Sequence, residues 1–131
     1  MFAINPSDPS PIWLQIEEGI RRLVALGALK GGDPVPSVRD LAKELRVNPN
    51  TVARSYQRLA EAGVLVVRRG EGTYVADAPP QQKKAKRNEL LRDAAQRFAS
   101  TVIAAGVDLP DAIAEIESSY QKLVSEHRRQ R

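Results

Sequence analysis

The stretch from Pro36 to Ala76 constrains the fold more than any other part of the chain. It reads PSVRDLAKELRVNPNTVARSYQRLAEAGVLVVRRGEGTYVA. Ser37 opens a short helix, and Asp40 three places on completes a capping-box-like pattern. Leu41, Ala42 and Leu45 give that helix one apolar side, and Arg46-Val47-Asn48 makes a tight turn. Asn48 then caps a second helix, with Pro49 at its first position, where a missing N–H leaves no bond unmade. Val52, Tyr56 and Leu59 recur at i, i+4 and i+7 along it, and Gly63 ends it. Two helices so closely joined form a helix-turn-helix. A strand over 64–67, a glycine-rich turn over 69–72 and a returning strand over 73–75 then form a β-hairpin. The expected fold is mainly α with a small β-hairpin, a winged helix-turn-helix, followed by a two-helix hairpin.

With Val52, Tyr56 and Leu59 turned inward, the outward face of the second helix carries Asn50, Thr51, Arg54, Ser55 and Arg58. Arg54 has the planar fork that meets guanine O6 and N7 in the major groove, while Asn50 and Thr51 at the helix start reach a base edge or a phosphate. Gly70 and Gly72 supply positive-φ positions in the hairpin turn. Ser37 is first a helix cap, with a phosphate contact as its second reading. Arg58 is either a DNA contact or a solvated charge paired with Glu61 three residues on.

The run PSVRDLA, the Asn-Pro-Asn-Thr-Val-Ala-Arg start of the second helix and the RRGEGTYV hairpin occur in order at set spacings. Over roughly the first 76 residues the chain resembles the N-terminal domain of GntR-type bacterial transcription regulators. The resemblance implies a repressor or activator that places its recognition helix (49–62) in the major groove and its wing (68–73) at the minor groove. It also implies Arg39, Asn50, Thr51 and Arg54 as contact positions, with Arg69 and Gly70 in the wing. A pseudo-palindromic operator bound by a homodimer, with repression by promoter occlusion, is the mode that the resemblance suggests.

Composition fits this reading without carrying it. The chain has 131 residues, a net charge of +4 and 42% apolar residues, with 5% aromatics. Residues 37–76 hold seven basic and four acidic side chains, so most of the positive excess lies in the helix-turn-helix and wing. No apolar run is long enough to span a bilayer, and the start MFAINPSDPS lacks the basic and apolar regions of a signal peptide. Zero cysteines exclude disulfides and suit a cytoplasmic location.

Residues 1–10 read as a disordered lead. A helix then starts at Ser10-Pro11 and runs to about Gly27, with Ile12, Trp13, Ile16, Ile20, Leu23 and Val24 at helical spacing as core residues, and Lys30-Gly31-Gly32-Asp33-Pro34 reads as a loop. The DNA-binding domain is expected over 1–76, a linker over 77–87 and a helical dimerisation region over 88–131. Lys83, Lys84, Lys86 and Arg87 make a basic run that is either solvated linker or a second phosphate-tracking element. In the last region Leu91, Phe98 and Val102 mark one amphipathic helix, and Ile113, Ile116 and Tyr120 a second, capped by Asp108. A helix pair this small buries too little apolar surface alone, so a second copy of the chain is the expected cover. So short a C-terminal region resembles the YtrA-like subfamily of GntR regulators.

No catalytic constellation is visible. His127 is the single histidine, and phosphate-loop and dinucleotide fingerprints are absent, so an enzyme, a cofactor and a metal site are not expected. The expected partners are double-stranded DNA, a second copy of the chain and a small-molecule effector whose identity no residue discloses. The rival readings are an architectural protein that binds DNA without sequence choice and a winged helix that docks on another protein.

Overall fold

A computed structural model defines residues 1–78 and 84–129. Its elements are α1 (Ile12–Ala25), α2 (Val38–Leu45), α3 (Pro49–Glu61), β1 (Leu65–Arg68), β2 (Gly72–Val75), α4 (Lys84–Ala104) and α5 (Leu109–Arg129). They divide into two compact units, one over 1–78 and one over 84–126.

The first unit is the winged helix-turn-helix. The Ser37 hydroxyl accepts the Asp40 N–H at 3.0 Å and the Asn48 side chain accepts the Asn50 N–H at 2.8 Å, so both helices start where their capping residues dictate. Between them Arg46 takes the left-handed conformation, with φ of 57°, which turns the chain sharply enough for α3 to cross α2. Ile16, Ile20 and Leu23 of α1, Leu41 of α2 and Val52, Tyr56 and Leu59 of α3 interlock in one core closed by Val64, Leu65 and Val75. β1 and β2 pair antiparallel, Leu65 opposite Val75 and Arg68 opposite Gly72. The turn between them carries Gly70 and Gly72 at φ of 76° and 132°, where a side chain would be strained.

Two features of this unit depart from the sequence expectation. The segment before α2 is not a plain loop. Val35 donates its N–H to Thr73 at 3.0 Å and Val75 donates to Asp33 at 2.8 Å, so this stretch lies beside β2 and is joined to it by an isolated bridge between Pro34 and Tyr74. Its glycines and prolines hid that pairing. The lead is not disordered either. Phe2 is buried in the core, seated so closely on Gly19 that a Cβ there would lie 2.8 Å from its ring. Asn5 and Gln15 exchange two hydrogen bonds, at 2.9 and 3.1 Å, and Asn5 and Asp8 cap local turns. A polar, proline-containing lead looks unfolded by composition, yet an aromatic ring seated on a glycine and a set of local hydrogen bonds anchor it.

In the second unit α4 begins at Lys84, so residues 84–87, expected in the linker, form its first turn. Residues 79–83 of the expected linker, Lys83 among them, lie outside the described residues. Gly106 at φ of 73° ends α4, with Val107 donating back to Val102 at 3.1 Å. Asp108 then accepts the Asp111 N–H at 3.1 Å and starts α5, as its spacing foretold.

Replacing Phe2 by Ala should lower the unfolding free energy by about 3 kcal/mol, the low end for deleting a buried aromatic. Denaturant unfolding checks this, and an unchanged midpoint would return the lead to the status of a loose tail.

Candidate nucleic-acid interface

The recognition surface follows from how α3 is held. Its buried stripe is Val52, Ser55, Tyr56 and Leu59, at i, i+3, i+4 and i+7. Ser55, expected on the outward face, is fully buried instead. Its hydroxyl donates to the Trp13 carbonyl at 2.8 Å and lies 3.2 Å from the Thr51 carbonyl. Polarity suggested the outside, but position i+3 from Val52 lies within the inward arc. The Tyr56 hydroxyl donates to the Pro36 carbonyl at 2.7 Å, and burial, helped by the Glu44 charge, holds this phenol protonated well above its ordinary range. Two polar side chains thus lock the inner face of α3 to the first turn of α1 and to the segment before α2.

Fixing that stripe inward leaves Asn50, Thr51, Arg54 and Arg58 on the other face, Thr51 half-buried and the rest exposed. Arg39 is exposed on α2, and Ser37 is exposed with its oxygen engaged as a cap. Arg69 and Gly70 are exposed at the tip of the wing. Beside them Arg68 stacks on Tyr74, its guanidinium carbon 4.6 Å from the ring centroid. At the N-terminal end of α3, an open and mainly apolar hollow of about 450 Å³ lies between the lead and the turn, with Asn48 and Thr51 on its rim.

The arginines of α3 are not equivalent. The Arg58 Nε donates to a Glu17 carboxylate oxygen at 2.9 Å, a pair spanning two helices, whereas the nearby Glu61 meets Gln57 at 3.3 Å. The expected local partner of Arg58 is therefore replaced by one from α1. Arg54 and Arg58 both stack on Trp13, at 4.7 and 4.6 Å from the ring centroid. Trp13 is half-buried and lies outside the core cluster, so it does not serve the core role expected of it. Trp13 and Glu17 were missed as members of this surface. The available signal was their i, i+4 spacing on α1, one polar and one aromatic residue flanking Ile16 on a helix bound to pack on α3.

The residues expected at a dimer contact belong to the second unit. Leu91, Ile113, Ile116 and Tyr120 are exposed there, at 70%, 49%, 51% and 63%, while Phe98 and Val102 are half-buried.

Two capped helices, a buried stripe that presents an arginine-bearing face, and an arginine-glycine wing define a winged helix-turn-helix protein. The pattern of bacterial regulatory proteins of the gntR family matches residues 13–75. The HTH-type transcriptional repressor YtrA of Bacillus subtilis is 32% identical over 109 residues, which cover 83% of this chain and 84% of that protein. Among solved structures, a transcriptional antiterminator from Listeria monocytogenes EGD-e superposes with a TM-score of 0.69 at 29% identity, over 95% of this chain and 92% of that one. YtrA from Sulfolobus acidocaldarius, a GntR-family transcription factor, gives 0.54 at 31% identity, over 92% and 97%. The chain belongs to the GntR family of bacterial regulatory proteins, a family of DNA-binding transcription factors and not a class of enzymes.

Ser55→Ala should destabilise the fold by about 1 kcal/mol, since the Trp13 carbonyl loses a buried donor. Thermal unfolding would show it, and a variant as stable as the parent would mean that the hydroxyl is not needed to hold α1 on α3.

Proposed function

We propose that this chain is a homodimeric repressor that binds a two-fold-symmetric operator, α3 in the major groove and the wing at the minor groove. The exposed arginine-bearing face of α3 is the observation that carries the reading. In it, Arg54 is the base reader, Asn50 and Thr51 contact a base edge or phosphate at the helix start, and Arg39 and Ser37 contact the backbone. Arg58, with its Nε committed to Glu17, keeps its terminal amino groups for phosphate. Arg69 and Gly70 bring the wing to the adjacent groove, where the absence of a side chain at Gly70 permits close approach. Repression is supported by the B. subtilis relative, which is named a transcriptional repressor.

Dimerisation is supported by the second unit. Leu91, Ile113, Ile116 and Tyr120 are large apolar residues left uncovered within it, and a pair of helices with such faces needs a partner to bury them. A second copy supplies the same surface and matches a symmetric operator.

Purified protein selected against random duplexes should recover a two-fold-symmetric site preferred by ~10³-fold or more over a scrambled sequence. Equal, salt-sensitive binding to both duplexes would refute sequence-specific regulation. On the selected site Arg54→Ala should cost on the order of 1–3 kcal/mol and relax base choice at one position per half-site. Ile116→Asp combined with Tyr120→Asp should yield monomers by light scattering, with operator binding weakened while the winged helix stays folded. A surviving dimer would move the contact off this face of α5.

A further inference from the structure

The Trp13, Glu17, Arg54 and Arg58 cluster does something that neither the core nor a simple basic patch explains. We propose that Trp13, on a helix outside the helix-turn-helix, is a positioning residue that sets the plane of the Arg54 guanidinium for base reading, while Glu17 takes up the Nε of Arg58. The inference rests on the reading of Arg54 as the base reader.

The indole is poorly placed to be a packing residue and well placed to be a platform. It lies outside the core cluster and has two guanidinium carbons within 5 Å of its ring centroid, at 4.7 and 4.6 Å. A guanidinium attracted to an aromatic face uses its own face for the contact and keeps its N–H edge free. Among the described residues Arg54 has no hydrogen bond or ion pair, so the whole donor edge remains for a base. A free arginine must give up rotamer freedom to make a bidentate contact, and a stack formed before binding removes part of that loss.

Two like charges over one ring repel, and a second interaction resolves the conflict. The buried Glu17 carboxylate accepts from the Arg58 Nε at 2.9 Å and also lies 3.9 Å from the Arg21 Nε. Arg58 is therefore tied towards α1, whereas Arg54 is held by the stack alone. The platform itself is fixed to the recognition helix, because the carbonyl of Trp13 receives the buried hydroxyl of Ser55, the residue next to Arg54. Platform and reader thus move as one piece with α3.

The test compares full-length wild type, Trp13→Leu, Trp13→Phe, Arg54→Ala and the double variant Trp13→Leu with Arg54→Ala. Each is titrated against the selected operator and against every single base-pair substitution in one half-site. Leu keeps apolar bulk without a π-face and Phe keeps the face. Trp13→Leu should flatten preference at the same base pair as Arg54→Ala, the double variant should lose less than about 3-fold beyond Arg54→Ala, and Trp13→Phe should retain the preference. If Trp13→Leu weakens binding evenly over all duplexes, or if its loss multiplies fully with that of Arg54→Ala, the platform role is overturned and base reading by Arg54 stands. If Arg54→Ala leaves every preference intact, base reading by Arg54 fails and the platform role fails with it.

A second measurement needs no substitution at Trp13, the single tryptophan of the chain. Arg54→Ala should increase acrylamide quenching of its emission, because a guanidinium no longer covers the ring. Unchanged quenching would overturn the stack even where Trp13→Leu failed to fold.

Discussion

The inward stripe of α3 is the constraint on which the rest of the winged unit depends. Val52, Ser55, Tyr56 and Leu59 are at most 5% exposed, and they meet α1 and α2 in a core with no room to slide. A helix has one surface period, so fixing this stripe fixes the rotation of Asn50, Thr51, Arg54 and Arg58 about the helix axis. Rotation of α3 by a single residue position would turn its outer side chains by about 100° and spoil both faces together. The polar members of the stripe sharpen this register. Ser55 and Tyr56 each need one acceptor at hydrogen-bonding distance, and those acceptors, the carbonyls of Trp13 and Pro36, lie on separate segments. Apolar packing alone would tolerate small rotations that these bonds do not.

What was legible in the sequence and what was not divides along the range of the interactions. The caps by Ser37, Asn48 and Asp108 are bonds over two or three residues, and each was visible as a residue type at a set spacing. The periodic apolar residues and the glycines of the wing are equally local, so the helices, the hairpin and the outward placement of Arg54 could be read directly. The contacts that escaped are those over long separations. Phe2 meets Gly19, Val35 meets Thr73, Trp13 meets Arg54 and Arg58, and Glu17 meets Arg58 41 residues away. For Arg58 the sequence offered only a neighbour three places on. Ser55 is a different case, in which the helical period points inward while the polarity of the side chain points outward. A serine hydroxyl is small enough to be buried wherever a single carbonyl can accept from it.

The two units differ in how they meet the cost of exposed apolar surface. In the winged unit the large apolar residues are gathered inside, with Val66 and Val67 of the wing the exceptions among the described residues. The helix pair exposes Leu90, Leu91, Ile103, Ile113, Ile116 and Tyr120, and Ala112 is its one buried apolar residue among those described. Helices of this kind have regular caps and sound propensity, yet most helical stability in a folded protein comes from a buried face. The first unit is thus complete in its packing and the second is not. On the proposed reading a second copy of the chain covers the apolar faces that the helix pair leaves open.

The charges on the outward face of α3 are also held by partners within the fold. A protein that binds DNA by charge alone needs arginines and lysines near phosphates, with no premium on their orientation, because the gain comes from displaced counterions. Here each of the two arginines that extend from α3 has a partner within the fold, one an aromatic face and the other an aromatic face together with a buried carboxylate. Pairing of this kind weakens a purely electrostatic surface slightly, since Glu17 neutralises one positive charge close to the helix. It is useful only where direction matters, as it does for a planar fork that must meet two acceptors on one base edge. On the reading of α3 as the recognition helix, the carboxylate and the indole of α1 convert two flexible cations into one directed reader and one anchored neighbour.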